Sequence, residues 1–459
     1  MSNPGDADDT PITSVSQMAA YFAAGCKPRE KFRIGTEHEK FGFRHTDLCP
    51  PPYLPADGQR GSIRDLLNGL SKFGGTPILD ETNIIGLKLG GASISLEPAG
   101  QLELSGDAVA TLHETQAEFD AHYKEVREVD GALDMGFAAL GFHPMQSRAG
   151  MPWMPKGRYA IMRRYMPIVG SMGLDMMTRT CTVQVNLDFA SEAEMRRKVR
   201  VSLLLQSLAT ALFANSPFTE GKPNGYLSYR AHVWTDTDNQ RSGIPPVMLE
   251  DGFDFERYAA WLIEHVPMYF VYRDGRYIDV AGRRFTDFMA GKVPELAGIT
   301  ATMGDFADHV TTAFTDVRLK RFLEMRGADA GRADMMVAQS ALWVGLLYDD
   351  AALTAAEALL RGATWQDAVT ARATVPMQGL DAPWRGGRLR DILPDVLAIA
   401  RDGLAARDLH DAEGQSETIY LDPLREIAAG GPTQAEYWLG RYEKAWAGDV
   451  SRIFREAAI

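Results

Sequence analysis

With 459 residues, 45% of them hydrophobic and 24% charged, the chain is long enough to bury a large core, and its formal net charge of −13 argues against nucleic acid or an anionic membrane as main partner. Its apolar runs, such as 341–347, fall far short of the roughly 20 residues that a membrane helix needs. Cys26, Cys49 and Cys181 are too few for a disulfide framework, and the acidic opening with Asp6, Asp8 and Asp9 lacks the basic start of a secretory signal, so a cytoplasmic location is expected.

No internal repeat, low-complexity tract or shift in composition divides the chain. The expected organisation is an acidic flexible tail over residues 1–13, then one domain over 14–459 with a helical C-terminal region.

The first patterned segment, 32–43, alternates with period two. Glu37 and Glu39 therefore share a face, in line with Phe41 and Phe43. A solvated outer face is the alternative for such a pair. In 93–105 the Pro98-Ala-Gly turn separates two alternating arms, as in a hairpin; Ile94, Leu96, Leu102 and Leu104 take one side, Ser95, Glu97, Gln101, Glu103 and Ser105 the other. The spacing predicts a helix over 107–130. Lys156, Arg158, Arg163 and Arg164 form a basic cluster, either a phosphate site or a solvated charged face.

Segment 178–189 alternates without interruption: Cys181, Val183, Val185, Leu187 and Phe189 make an apolar face, Thr182, Gln184, Asn186 and Asp188 a polar one. A row of Thr, Gln and Asn reads as a preorganised hydrogen-bonding wall, with plain exposure as the alternative. Helices are predicted over 192–213 and 255–265. A fourth strand, 317–326, aligns Arg318, Lys320, Glu324 and Arg326 on one face, either a cation-flanked carboxylate or a surface ion-pair ladder. Helices over 335–348, 389–405 and 433–446 follow. Mixed strands and helices without a strict strand-helix-strand rhythm predict an α+β fold on a mostly antiparallel sheet.

If these strands adjoin, Glu37, Glu39, Glu97, Glu103 and Glu324 meet on one concave face. Each like-charge contact at about 4 Å then costs roughly 4 kcal/mol at an effective dielectric near 20, so the cluster calls for bound cations. Oxygen-only ligands select magnesium or manganese, which points to nucleotide chemistry. No phosphate-binding Gly-x-x-x-x-Gly-Lys loop and no Gly-x-Gly-x-x-Gly turn is present, so a triphosphate would rest on metal and on Arg and Lys side chains such as those of the fourth strand.

The blocks Arg33-Ile-Gly-Thr-Glu-His-Glu-Lys-Phe-Gly-Phe43, Ser95-Leu-Glu-Pro98, Gln101-Leu-Glu-Leu-Ser-Gly106, Thr180-Cys-Thr-Val-Gln-Val-Asn-Leu-Asp-Phe189, Trp234-Thr-Asp-Thr-Asp238 and Leu323-Glu-Met-Arg-Gly-Ala-Asp329 resemble glutamate-cysteine ligases of the plant and proteobacterial type. The similarity runs from about residue 30 to 350 and more weakly to the end. It implies a glutamine-synthetase-like funnel, a curved antiparallel sheet flanked by helices. It also implies ATP-dependent ligation of the γ-carboxyl of glutamate to the amine of cysteine through γ-glutamyl phosphate, the first step of glutathione biosynthesis.

Carried over residue by residue, Glu37, Glu39, Glu97, Glu103 and Glu324 look like metal ligands, with Gln184 standing where more distant relatives place a His. Roughly two or three Mg²⁺ ions are implied, with Mn²⁺ as substitute. Arg326 resembles the Arg on the transferred phosphoryl group and, with Glu39 and Glu324, makes the expected catalytic set. Arg318, Lys320 and Arg326 are the expected ATP contacts; Thr182, Asn186, Arg230 and Trp234 the expected substrate contacts.

The expected partners are glutamate, cysteine and ATP, for a monomer or homodimer. Plant members are regulated by disulfides to the C-terminal part, which a chain with no Cys after Cys181 cannot form; with no transit-peptide-like opening, a bacterial cytosolic enzyme is expected. A ligase with another amine acceptor and a non-catalytic glutamate or nucleotide sensor are the alternatives.

Overall fold

A computed structural model describes residues 8–55 and 61–459. Nine strands form its main sheet: β1 (Ile34–Arg44), β2 (Thr76–Asp80), β3 (Asn83–Leu89), β4 (Ala92–Leu96), β5 (Leu102–Ser105), β6 (Met135–Ala138), β7 (Thr182–Leu187), β8 (Val317–Leu319) and β9 (Leu323–Asp329). The order is β8-β9-β7-β1-β5-β4-β3-β2, with β6 also on β1, and every pairing is antiparallel. The expected α+β fold on an antiparallel sheet with flanking helices is what the chain forms.

The two faces of the sheet differ as the period-two pattern requires. Val183, Val185, Leu187, Val317, Leu319, Leu323 and Met325 belong to one hydrophobic core, which the helices Leu112–Asp130, Glu192–Leu212 and Ala333–Leu347 complete from behind. Cys181 is fully buried in that core, and no disulfide joins the three cysteines. Two polar threads cross the packing: Thr36 Oγ1 meets Ser340 Oγ at 3.0 Å, and Gln339 Nε2 donates to the Val183 carbonyl at 3.3 Å. The opposite face carries the acidic and amide side chains.

Predicted elements shift where a local signal outweighs periodicity. The helix read over 107–130 begins at Leu112, because Thr111 and Glu114 close a capping box there. Strand β7 starts four residues later than the pattern, since Gly173–Arg179 is helical. The fourth strand is a correction: 317–326 is not one strand but a tight hairpin, in which Arg318 lies opposite Glu324. Edge strand β2, its neighbour β3 and the helix Gly157–Val169 lay outside the prediction.

Of the expected tail over 1–13, residues 1–7 lie outside the described residues. Residues 8–13 are tied down: Ile12 N donates to the Ala301 carbonyl at 3.0 Å, and the Thr10 carbonyl accepts from Met303 N at 2.9 Å.

Candidate active site

Cross-strand register builds the site. Glu39 on β1 lies opposite Glu103 on β5, which lies opposite Ser95 on β4; Glu37 lies between Ser105 and Gln184; Asn186 on β7 lies opposite Glu324 on β9. Directly opposed residues point to the same face. Glu37, Glu39, Glu103, Gln184, Asn186 and Glu324 thus occupy one face, and Glu97 joins them from the turn after β4.

The carboxylates fall into two groups. Glu324 is fully buried and already neutralised: Arg318 Nε and Nη2 reach it at 2.7 and 2.8 Å, Arg326 Nη1 at 2.6 Å and Lys320 Nζ at 3.1 Å. Burial alone would raise its pKa, but these three cations hold it well below the usual carboxylate range. Arg318 also donates to the Thr311 and Ala313 carbonyls, so its fork is committed to structure. The hairpin turn, unseen in the periodicity, is what brings Arg318 and Lys320 onto Glu324.

Glu39 and Glu103 lack such compensation. Glu39 accepts from Thr182 N at 2.9 Å, and Glu103 from Ser95 Oγ at 2.6 Å. Burial, with Glu97 and Glu103 close by, raises Glu39 well above its ordinary value despite Arg230. Burial and Glu97 push Glu103 up to about 7. Lys156 is buried against Glu97 and lowered to about 8, its Nζ donating to the Leu96 carbonyl at 2.7 Å. Glu37 accepts from Asn186 Nδ2 at 2.9 Å.

All these donors are oxygen, which suits a hard divalent cation, and the uncompensated burial of Glu39 and Glu103 calls for one. Among the described residues, however, no three His, Cys, Asp or Glu groups form a ready metal-ligating set. Glu37, Glu39, Glu97 and Glu103 are a crowded acidic wall rather than a finished cage. Gln184 turns its Oε1 to Arg326 Nη1.

Opposite the acidic wall lies a cationic and aromatic one. Glu39, Glu97, Gln101 and Thr182 share a cavity with Arg230, Trp234, Phe314 and Arg326, closed by Tyr159, Met162, Met176 and Met177. Arg230 and Trp234 come from the short helix Tyr229–Val233 and its C-cap. Arg230 Nη2 donates to the Arg326 carbonyl at 3.0 Å. Buried Arg230 Nε and Trp234 Nε1 have no hydrogen-bond partner among the described residues, which makes both ready donors for an acceptor brought from outside. A small adjoining pocket adds Arg372, which donates to Asp316 at 2.8 Å and to the Trp234 carbonyl at 3.1 Å.

Of the predicted site residues, Glu39, Glu97, Thr182, Arg230, Trp234 and Arg326 line this cavity, whereas Glu37, Glu103, Gln184, Asn186 and Glu324 share the sheet face without lining it, and Arg318 and Lys320 are turned to Glu324. Thr182 lines the cavity, while its hydroxyl is spent on the Ala328 carbonyl at 2.8 Å. Sequence reasoning missed Tyr159, the three methionines, Phe314 and Arg372. They arrive from helices and a connecting segment whose local patterns carry no sign of a site.

The model of glutamate-cysteine ligase family 2 matches residues 33–456. Glutamate-cysteine ligase B, chloroplastic, from Oryza sativa subsp. japonica is 49% identical over 447 residues, covering 97% of this chain and 87% of that protein. The chloroplastic enzyme of Arabidopsis thaliana is also 49% identical, at 97% and 83% coverage. A solved glutamate-cysteine ligase of Francisella tularensis in complex with AMP shares the fold, with a TM-score of 0.53 at 11% identity and coverage of 93% of this chain and 88% of that one. The expectation of a cytoplasmic location is overturned, since the named relatives from rice, tobacco and Arabidopsis are chloroplastic. On the family match and this identity, the chain belongs to glutamate-cysteine ligase family 2.

Proposed function

We propose that this chain ligates the γ-carboxyl of glutamate to the amine of cysteine, driven by ATP, as the first step of glutathione biosynthesis. The observation that carries the reading is the meeting of acid and cation in one cavity: Glu39, raised by burial and its acidic neighbours, and Glu97 line it together with Arg230, Trp234 and Arg326. A carboxylate substrate fits the cationic wall, and a triphosphate neutralised by cations fits the acidic one. The identity with plant glutamate-cysteine ligases supports the choice of substrates.

In this reading Arg230 and the Trp234 N–H receive a carboxylate of glutamate, using donors with no other partner among the described residues. Glu37, Glu39, Glu97 and Glu103 would hold Mg²⁺, which when bound would neutralise phosphate oxygens and relieve the crowding of the carboxylates. Arg326, anchored by Glu324, offers its remaining donors to the transferred phosphoryl group.

The γ-carboxylate of glutamate attacks the γ-phosphorus of ATP, releasing ADP. The cysteine amine then attacks the acyl carbon, and phosphate leaves, taking up the proton that the amine gives up. No protein nucleophile takes part; the chain positions the reactants and balances charge. Met162, Met176 and Met177 form an apolar wall that keeps water from the acyl phosphate.

The test is ADP release from ATP, Mg²⁺ and glutamate, with cysteine and other amines added singly. Cysteine is expected to stimulate turnover most. No stimulation by any amine would refute ligation, and clear preference for another amine would refute cysteine as acceptor.

A further inference from the structure

Asp329, at the end of β9, is buried and takes no part in the chemistry above, yet three donors converge on its carboxylate. Asn215 N reaches Oδ2 at 2.8 Å, Ser216 Oγ reaches Oδ2 at 2.6 Å, and Ser228 Oγ reaches Oδ1 at 2.8 Å. Each hydroxyl has one proton. Because the carboxylate takes both protons, both hydroxyls must turn their lone pairs elsewhere.

Those lone pairs face the first turn of the helix that delivers Arg230. Ser216 Oγ accepts from Arg230 N at 3.1 Å, and Ser228 Oγ caps the helix by accepting from Ala231 N at 3.1 Å. The Ser216 carbonyl accepts from Tyr229 N at 3.3 Å. So short a helix has little stability of its own, and its direction is set by these contacts. Three residues before Asp329 on the same strand, the Arg326 carbonyl accepts from Arg230 Nη2. One strand end thus fixes both the backbone and the guanidinium of Arg230.

We infer that Asp329 is a positioning residue for glutamate recognition: by orienting the Ser216 and Ser228 hydroxyls it aims Arg230 into the cavity. The inference rests on the reading of that cavity as the glutamate site. In Asp329→Asn the amide keeps the shape but sets an NH2 either against Ser228 Oγ or against Asn215 N and Ser216 Oγ, so at least one hydroxyl must turn and the helix loses its aim.

The experiment compares steady-state kinetics of the full chain, Asp329→Asn, Arg230→Met and the double variant, with ATP, Mg²⁺, glutamate and cysteine. Asp329→Asn is expected to raise KM for glutamate about tenfold, with KM for ATP unchanged, the loss expected of a misaimed charged hydrogen bond. Added to Arg230→Met, it should raise KM for glutamate little further, because both changes remove one interaction. A fall in kcat with unchanged KM for glutamate, or full additivity in the double variant, would overturn the positioning role and leave the cavity reading intact. If Arg230→Met leaves KM for glutamate unchanged, the cavity reading itself falls, and the inference with it. Should Asp329→Asn not fold, Ser228→Ala keeps the carboxylate, removes one oriented hydroxyl and is expected to raise KM for glutamate alone. No change in that variant overturns the inference.

Discussion

Glu39 sits near the middle of the sheet with Thr182 N–H on one oxygen and Glu97 and Glu103 close by, an arrangement unfavourable until positive charge arrives. Its folded pKa lies above the unfolded one, so the ionised side chain lowers stability once pH exceeds the ordinary carboxylate range, and near pH 4 the penalty vanishes. Glu39→Gln is therefore expected to match or exceed the parent in stability at pH 8 in EDTA, by roughly 1–3 kcal/mol at most, the scale of a buried uncompensated polar group, and to melt no lower. Mg²⁺ with ATP should raise the Tm of the parent more than that of the variant, whose turnover drops by about a hundredfold or more. Thermal melts at pH 4 and 8 with and without Mg²⁺ check this; a parent indifferent to Mg²⁺ would sink the metal role of Glu39. This residue was legible in the sequence because strand parity alone puts it on the face of Glu37. The neutralisation of Glu324 was not, since it depends on a turn at Lys320–Phe322 that reverses the chain and lays Arg318 against it.

Among the elements, those with long, clean periodicity were read best: the core helices over 192–212 and 333–347 and the uninterrupted alternation of β7. Features set by tertiary contact escaped, chief among them a bulge in β9 between Met325 and Ala328 that shifts its register against β7. A bulge re-aims the side chains beside it, here Arg326. Gly327 in the bulge lies against Gln206 of the core helix, and a Cβ there would stand 2.2 Å from Gln206 Nε2. Gly327→Ala must turn the Gln206 side chain aside or push the bulge away, at a cost of about 1–3 kcal/mol, and as the bulge yields Arg326 moves with it. Turnover should fall about tenfold or more, since small misplacements at a phosphoryl-transfer site are felt strongly. Gln206→Ala removes the obstructing amide, and in the double variant it is expected to restore part of both Tm and turnover. Failure to restore either would mean that the glycine serves the backbone conformation rather than the fit to Gln206.

At the scale of the whole molecule, the C-terminal helices read as part of one folding unit with the sheet. The helix Ala333–Leu347 packs on β1 and β7 with one side and on the helix Leu389–Arg407 with the other. The chain end returns to the sheet, where Ile459 N donates to the Phe137 carbonyl at 3.0 Å, and Trp438 Nε1 reaches Asn215 Oδ1 at 2.8 Å beside the Asp329 hub. The two helices approach backbone to backbone: a Cβ on Gly403 would meet the Gly345 carbonyl oxygen at 1.9 Å, and one on Gly345 the Ala400 oxygen at 2.2 Å. Backbone cannot rotate away as a side chain can, so Gly403→Ala has to separate the helices along their length, with a loss of roughly 3 kcal/mol or more. Because Ala333–Leu347 is shared between the helical layer and the sheet, that loss should spread to the active face instead of freeing a C-terminal subdomain. Melts of Gly403→Ala followed by far-ultraviolet circular dichroism, by tryptophan fluorescence and by residual ligase activity are expected to shift down together as one transition. Loss of the helical signal before activity would show instead that the region beyond residue 330 unfolds by itself.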